Sequence, residues 1–231
     1  MSIEAIRRFG FVPEIPVGDG RSNNPGLGAL QRLRNLILST ANGVIDKRDS
    51  ILSNGDLADS GKAKALGELW SKTYEVLGGP QATSLISTAR DELHRLRDEA
   101  SALANGTGSK KPDQVELMRE QEVRSILYSN RHSTAEVRMA FSRALEEEDW
   151  TTMHAILRAP SVKHLLPPDS KQRELSEAEY LAAKYPDMAS DLEALRQFLP
   201  MVRDELRGAV TELSQMCRQA VPMADRLQEV G

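Results

Sequence analysis

"MASDLEALRQFLPMVRDELRGAVTELSQMCRQAVPMADRLQEV" occupies residues 188–230, and its spacing decides the fold class. Apolar side chains recur from Met188 through Leu192, Leu195, Leu199, Val202, Leu206, Ala209 and Leu213 to Val230, with gaps alternating between four and three residues. A period of half a heptad is the mark of a coiled-coil seam, and the seven-residue positions Leu192, Leu199, Leu206 and Leu213 are expected to carry partner binding along it. Read as one helix the stretch spans about 64 Å, longer than a compact domain of this size is wide. Pro200 and Pro222 fall off the seam, so they are expected to bend the helix without breaking it. Val210, Cys217 and Ala224 widen the stripe, which predicts more than one neighbouring helix and makes Cys217 a small core residue.

The same reasoning extends towards the N-terminus. In residues 29–53, Leu30, Ile37, Val44 and Ile51 repeat every seven residues, an amphipathic stripe. Asn54-Gly55 ends it, and Asp56 is placed to cap a second helix running to about Leu77 with Leu66, Leu69, Trp70, Val76 and Leu77 inward. A third helix follows Pro80, with Ala82, Ile86, Ala89, Leu93, Leu96, Ala100 and Leu103 on one face. Short turns join the three, so residues 29–104 read as an up-down-up bundle. "NGTGSKKP" (105–112) reads as a linker, and 113–231 as a second helical domain. Within it, helices are predicted over 113–129, from a capping box at Ser133 and Glu136 to about Leu145, over 150–157, and from a second box at Ser176 and Glu179. The expected fold is therefore all-α: an antiparallel helical bundle with an extended N-terminal arm (1–28) and a long C-terminal coiled-coil-like helix.

The arm departs from this pattern. "FVPEIPVGDGRSNNPGLG" (11–28) holds prolines and glycines that break any helix, after a short helix predicted over 1–9. Yet Phe11, Val12, Ile15 and Val17 are apolar, as a solvated tail would not require. They are expected to bind a neighbouring subunit, or else to fold back on their own bundle.

Composition narrows the function. The 231 residues carry 30 basic and 34 acidic groups, a net charge of −4, which argues against nucleic acid as the main partner. Aromatics are only 4%, no secretory signal opens the chain, and no apolar stretch approaches a membrane span. With one cysteine there is no disulfide framework, and a soluble protein of a reducing compartment is expected. "GTGSKK" (106–111) lacks the four-residue gap of a phosphate-binding loop. His154 and His164, with Glu146 to Asp149 upstream, are interrupted by Pro160; the acidic run reads as one helix end and the cap of the next. His94 and His132 read as surface residues. No catalytic residue, metal site or cofactor is expected, so an enzyme built on His154 and Glu147 is the least favoured class.

"ALEEEDWTTMHAILRAPSVKHLLPPDS" (144–170), followed by a short helix and a Leu-rich coil, resembles small coiled-coil proteins encoded among tailed-bacteriophage structural genes. The shared features are the acidic helix end, the Asp-Trp step, the Ile-Leu-x-Ala-Pro turn and the coil, covering roughly 144–231. The resemblance implies a non-enzymatic virion or virion-assembly role, with homo-oligomeric and virion-protein partners and assembly in the host cytoplasm. The other class in view is a soluble helical adaptor or regulator that binds a partner protein through the seam.

Overall fold

The structure, a computed structural model, describes residues 15–16, 23–107, 113–129, 132–160, 164–168 and 170–219. Among the described residues there is no strand, and the chain is all-α. The helices are α1 (Pro25–Ser53), α2 (Asp59–Leu77), α3 (Pro80–Ala104), α4 (Gln114–Ser129), α5 (Thr134–Glu146), α6 (Trp150–Leu157), α7 (Lys171–Lys184) and α8 (Pro186–Gln219). Phe11, Val12, Val17, the short helix predicted over 1–9 and the end of the seam beyond 219 lie outside the described residues.

The chain divides into two compact units, Met1–Glu92 with Ala194–Gly231, and Leu93–Glu193. This division differs from the linear one read from the sequence, because neighbours along the chain need not be neighbours in space. Both boundaries fall inside helices, α3 and α8.

In the first unit, α1 starts four residues earlier than its apolar stripe suggests. The Asn24 side chain accepts hydrogen bonds from the amides of Gly26 and Leu27, and Pro25 supplies a first helical residue that needs no amide partner. Asn24 also donates to Glu92 Oε1 of α3 at 3.0 Å. Gly26 is required here by close approach: a Cβ on it would lie 2.9 Å from the Glu92 Cβ and 3.0 Å from a Leu195 methyl of α8. Leu27, Leu30, Leu33, Ile37, Ala41 and Val44 are buried, as the stripe requires. Helix α2 packs on α1, but its cap is not Asp56: the helix begins at Asp59 after Ala58, while Asn54 accepts from the Asp56 amide within the preceding turn. Leu66 and Leu77 are buried, whereas Val76 is exposed.

Helix α8 passes through Pro200 unbroken, with the ring on its exposed side. The seam positions Leu192, Leu195, Leu199, Val202, Ala209 and Leu213 are buried, but a second buried stripe runs off the seam. Phe198, Val202, Glu205, Ala209, Leu213 and Cys217 are buried, at steps of four, three, four, four and four, while Leu206 is only half-buried. That rhythm is closer to the 3.6 residues of a straight helix than to 3.5, and a straight helix rotates a heptad stripe by about 20° per repeat. The rotation turns Leu206 outward and Glu205 inward, 3.9 Å from the Arg34 Nε of α1. Burial raises the Glu205 carboxyl above its usual range, and Arg34 opposes this.

In the second unit the short helix α6 is the hub, packing on α4, α5 and α7. Met153 through Leu157 are all buried, four apolar side chains with the polar His154 among them. Asp149 caps it, accepting from the Thr152 amide at 3.1 Å and its hydroxyl at 2.6 Å. The Ser133–Glu136 capping box of α5 is present as expected. The box expected at Ser176 is not: α7 begins a turn and a half earlier, where Ser170 accepts from the Arg173 amide. Ser176 is a buried interior residue whose hydroxyl donates to the Gln172 carbonyl, and Glu179 pairs with Arg138 of α5.

The first residues of the expected linker belong to the fold. Gly106 has φ +70°, and the Gly106 and Thr107 amides return to the carbonyls of Leu103 and Ala102. This is a Schellman cap, which favours glycine at its left-handed position.

Candidate functional site

Three pairs of polar residues, each four apart in the chain, converge in the second unit. They are Glu116 and Glu120 on α4, His154 on α6 with Arg158 at its C-terminal cap, and Tyr180 and Lys184 on α7. His154 is buried, with its Nδ1 3.1 Å from Glu116 Oε1 and 3.8 Å from Glu120 Oε1. Its Nε2 lies 3.0 Å from the Tyr180 hydroxyl and 3.2 Å from the Lys184 ammonium. Because a carboxylate can only accept and an ammonium can only donate, the network assigns the imidazole proton to Nδ1 and the lone pair to Nε2.

The carboxylates are already matched. Arg158 Nη1 donates to Glu120 Oε1 at 2.8 Å, and Arg124, one turn further along α4, lies 3.4 Å from Glu120 Oε2. Arg124 also reaches the Arg158 carbonyl, and Arg173 donates to the Leu157 carbonyl and to Asn105. The Schellman turn borders this network: a Cβ on Gly106 would sit 2.6 Å from the Arg158 Nε. Around Lys184 stand two aromatic faces, with the ammonium 5.0 Å from the Trp150 ring centre and 5.5 Å from that of Tyr180.

Burial, with Arg158 and Lys184 nearby, lowers the His154 pKa to about 4, against the opposing pull of Glu116. Burial, and then Arg158, also lowers that of Lys184, while burial lifts the Tyr180 phenol to about 12. The imidazole is therefore neutral near neutral pH, and the two carboxylates face cationic side chains.

The three atoms that Glu116, Glu120 and His154 offer lie within 4.8 Å of one another, the spacing of a metal ligand set. The charges around them oppose that use. Arg158 occupies the Glu120 oxygen a metal would need, and a divalent ion on Nδ1 would sit against its guanidinium. The arrangement suits a buried ion network that fixes α4, α6 and α7 together.

That network has a consequence on the opposite side of α4. The inner face holds the charged Glu116, Glu120 and Arg124 together with the apolar Val123, half-buried, and Leu127, buried. The apolar side chains Val115, Met118 and Ile126 point the other way and are 57%, 65% and 54% exposed. Helix α4 thus exposes these three apolar side chains among the polar Arg119, Gln121, Glu122 and Ser125, while much of its inner face is charged.

Comparisons with protein-family models, curated proteins and solved structures returned no match. The residues themselves carry the reading.

Of the residues singled out in the sequence, Ile15 is buried within the chain, so at that position the arm is covered by its own protein. Leu192, Leu199 and Leu213 are likewise buried and Leu206 half-buried. The ligand-type side chains that meet His154 are Glu116 and Glu120, while Asp149 is a helix cap and Glu147 ends α5. The cluster was missed because its members are some 25 to 40 residues apart in pairs that look like solvated helix faces. The signal was three polar pairs at i, i+4 on or at the end of three of the predicted helices.

Proposed function

We propose that this chain is a non-enzymatic assembly protein that works by binding other protein chains, as a virion component in the setting its 144–231 segment resembles. The observation that supports this reading is the set of apolar side chains that α4 exposes, Val115, Met118 and Ile126, on the side away from the ion network. A helix whose apolar face meets water is a liability unless a partner covers it. The arm residues Phe11, Val12 and Val17 would add a second contact, and an antiparallel bundle with α8 as a coiled-coil-like strut is the organisation this role calls for. The pairing of Glu120 with Arg158 and of Glu116 with His154 supports a structural network there.

A photo-reactive phenylalanine analogue at Met118 tests this, with the same analogue at Asp98, an exposed polar position of α3, as control. Irradiation of the purified chain, alone and with extract of its source, is expected to give protein adducts from position 118 and not from 98. Equal yields at both sites, or none at 118, would overturn the reading.

A further inference from the structure

The outward face of α4 is palindromic in its chemistry. Val115, Arg119, Glu122 and Ile126 follow one another at steps of four, three and four, all exposed, and fall within about 60° of one another around the helix. The order is apolar, basic, acidic, apolar. Turned end over end about a point between Glu120 and Gln121, the face maps onto itself, with Val115 meeting the position of Ile126 and Arg119 that of Glu122.

From this we infer that the occupant of the face is a second copy of this chain, joined through α4 in antiparallel, two-fold fashion. The inference rests on the reading of α4 as a partner surface and names the partner. In the antiparallel pair, Val115 of each copy packs against Ile126 of the other, and Arg119 faces Glu122 of the other, twice over by symmetry. The charges choose the direction. A parallel pair would set Arg119 against Arg119 and Glu122 against Glu122, like against like at the centre of a small interface. Met118 flanks the apolar ends and adds a side chain that adapts to an imperfect fit. The helix cannot instead rotate its apolar face inward, because Glu116 and Glu120 on the far side are held by His154 and Arg158.

A contact of one helix on one helix is small, so the dimer is expected to be weak and concentration-dependent. Sedimentation equilibrium of the full chain over a range of concentrations measures it. The wild-type chain is expected to approach twice its monomer mass. Arg119→Glu and Glu122→Arg should each weaken association about tenfold or more, since each replaces two attractive pairs by two repulsive ones. Two rescues then identify the geometry: the two single variants mixed together, and the double variant R119E/E122R alone, should each recover the dimer. All four positions are exposed, and circular dichroism checks that helicity is kept. A monomeric wild-type chain overturns the self-pairing, as does association that neither reversal weakens, or weakened association that neither rescue restores. Those failures leave the broader reading to the Met118 adducts, whose mass would then be that of this chain plus a different protein.

Discussion

His154 is the residue where burial and charge act together. Its folded pKa of about 4 lies below the ordinary imidazole value of 6.5, so between those values the unfolded chain binds more protons than the folded one. Stability is therefore complete above pH 6.5 and declines as pH falls towards 4, by up to about 1.4 kcal/mol per unit. Urea unfolding at pH 7, 6 and 5 is expected to show this slope in the wild-type chain and a flatter one in His154→Gln. The amide keeps a donor and an acceptor but does not titrate. A slope unaltered by the substitution would place the acid sensitivity elsewhere. Glu205 has the opposite sign: its raised carboxyl pKa makes the folded state bind more protons just above the ordinary carboxylate range, so that contribution weakens as pH rises through the window.

At the scale of the element, two glycines in helices separate propensity from packing. Gly208 on α8 has nothing within 4 Å of where a Cβ would stand, so Gly208→Ala should stabilise by about 0.5–1 kcal/mol through helix propensity alone. Gly26 in the first turn of α1 would gain the same propensity, yet its Cβ would meet Glu92 and Leu195 at 2.9 and 3.0 Å. Gly26→Ala is expected to destabilise by about 1–3 kcal/mol, because overcrowding outweighs propensity. Thermal unfolding of the two variants decides it, and equal shifts of the same sign would mean the α1–α3–α8 junction is looser than described.

The whole molecule offers one reporter for each unit. Trp70 lies on α2 in the first unit, against Tyr74, and Trp150 begins α6 in the second, beside Tyr180 and Lys184. With Trp70→Phe the remaining fluorescence follows the His154 network; with Trp150→Phe it follows the helices around α1. Since His154 weakens the second unit on acidification while Glu205 does the reverse in the first, urea midpoints from Trp150 are expected to fall more between pH 7 and pH 5 than those from Trp70. Midpoints that fall together would show that the chain unfolds as one cooperative body.

Much of this protein was legible from local spacing. The stripes of α1 and α3, the capping box of α5, the Asp149 cap of α6 and the unbroken passage of α8 through Pro200 all follow from periodicity, capping and proline geometry within a few residues. Other features needed the tertiary structure, because burial is a property of neighbours. Whether Leu206 or its neighbour Glu205 turns inward depends on how straight α8 runs, and no single stripe states that. The α7 cap went to Ser170 although Ser176 had the matching motif, since a serine inside a buried helix can return its hydroxyl to its own backbone. Above all, Glu116, Glu120, His154, Arg158, Tyr180 and Lys184 meet only when three helices pack, and no local spacing states that their side chains pair.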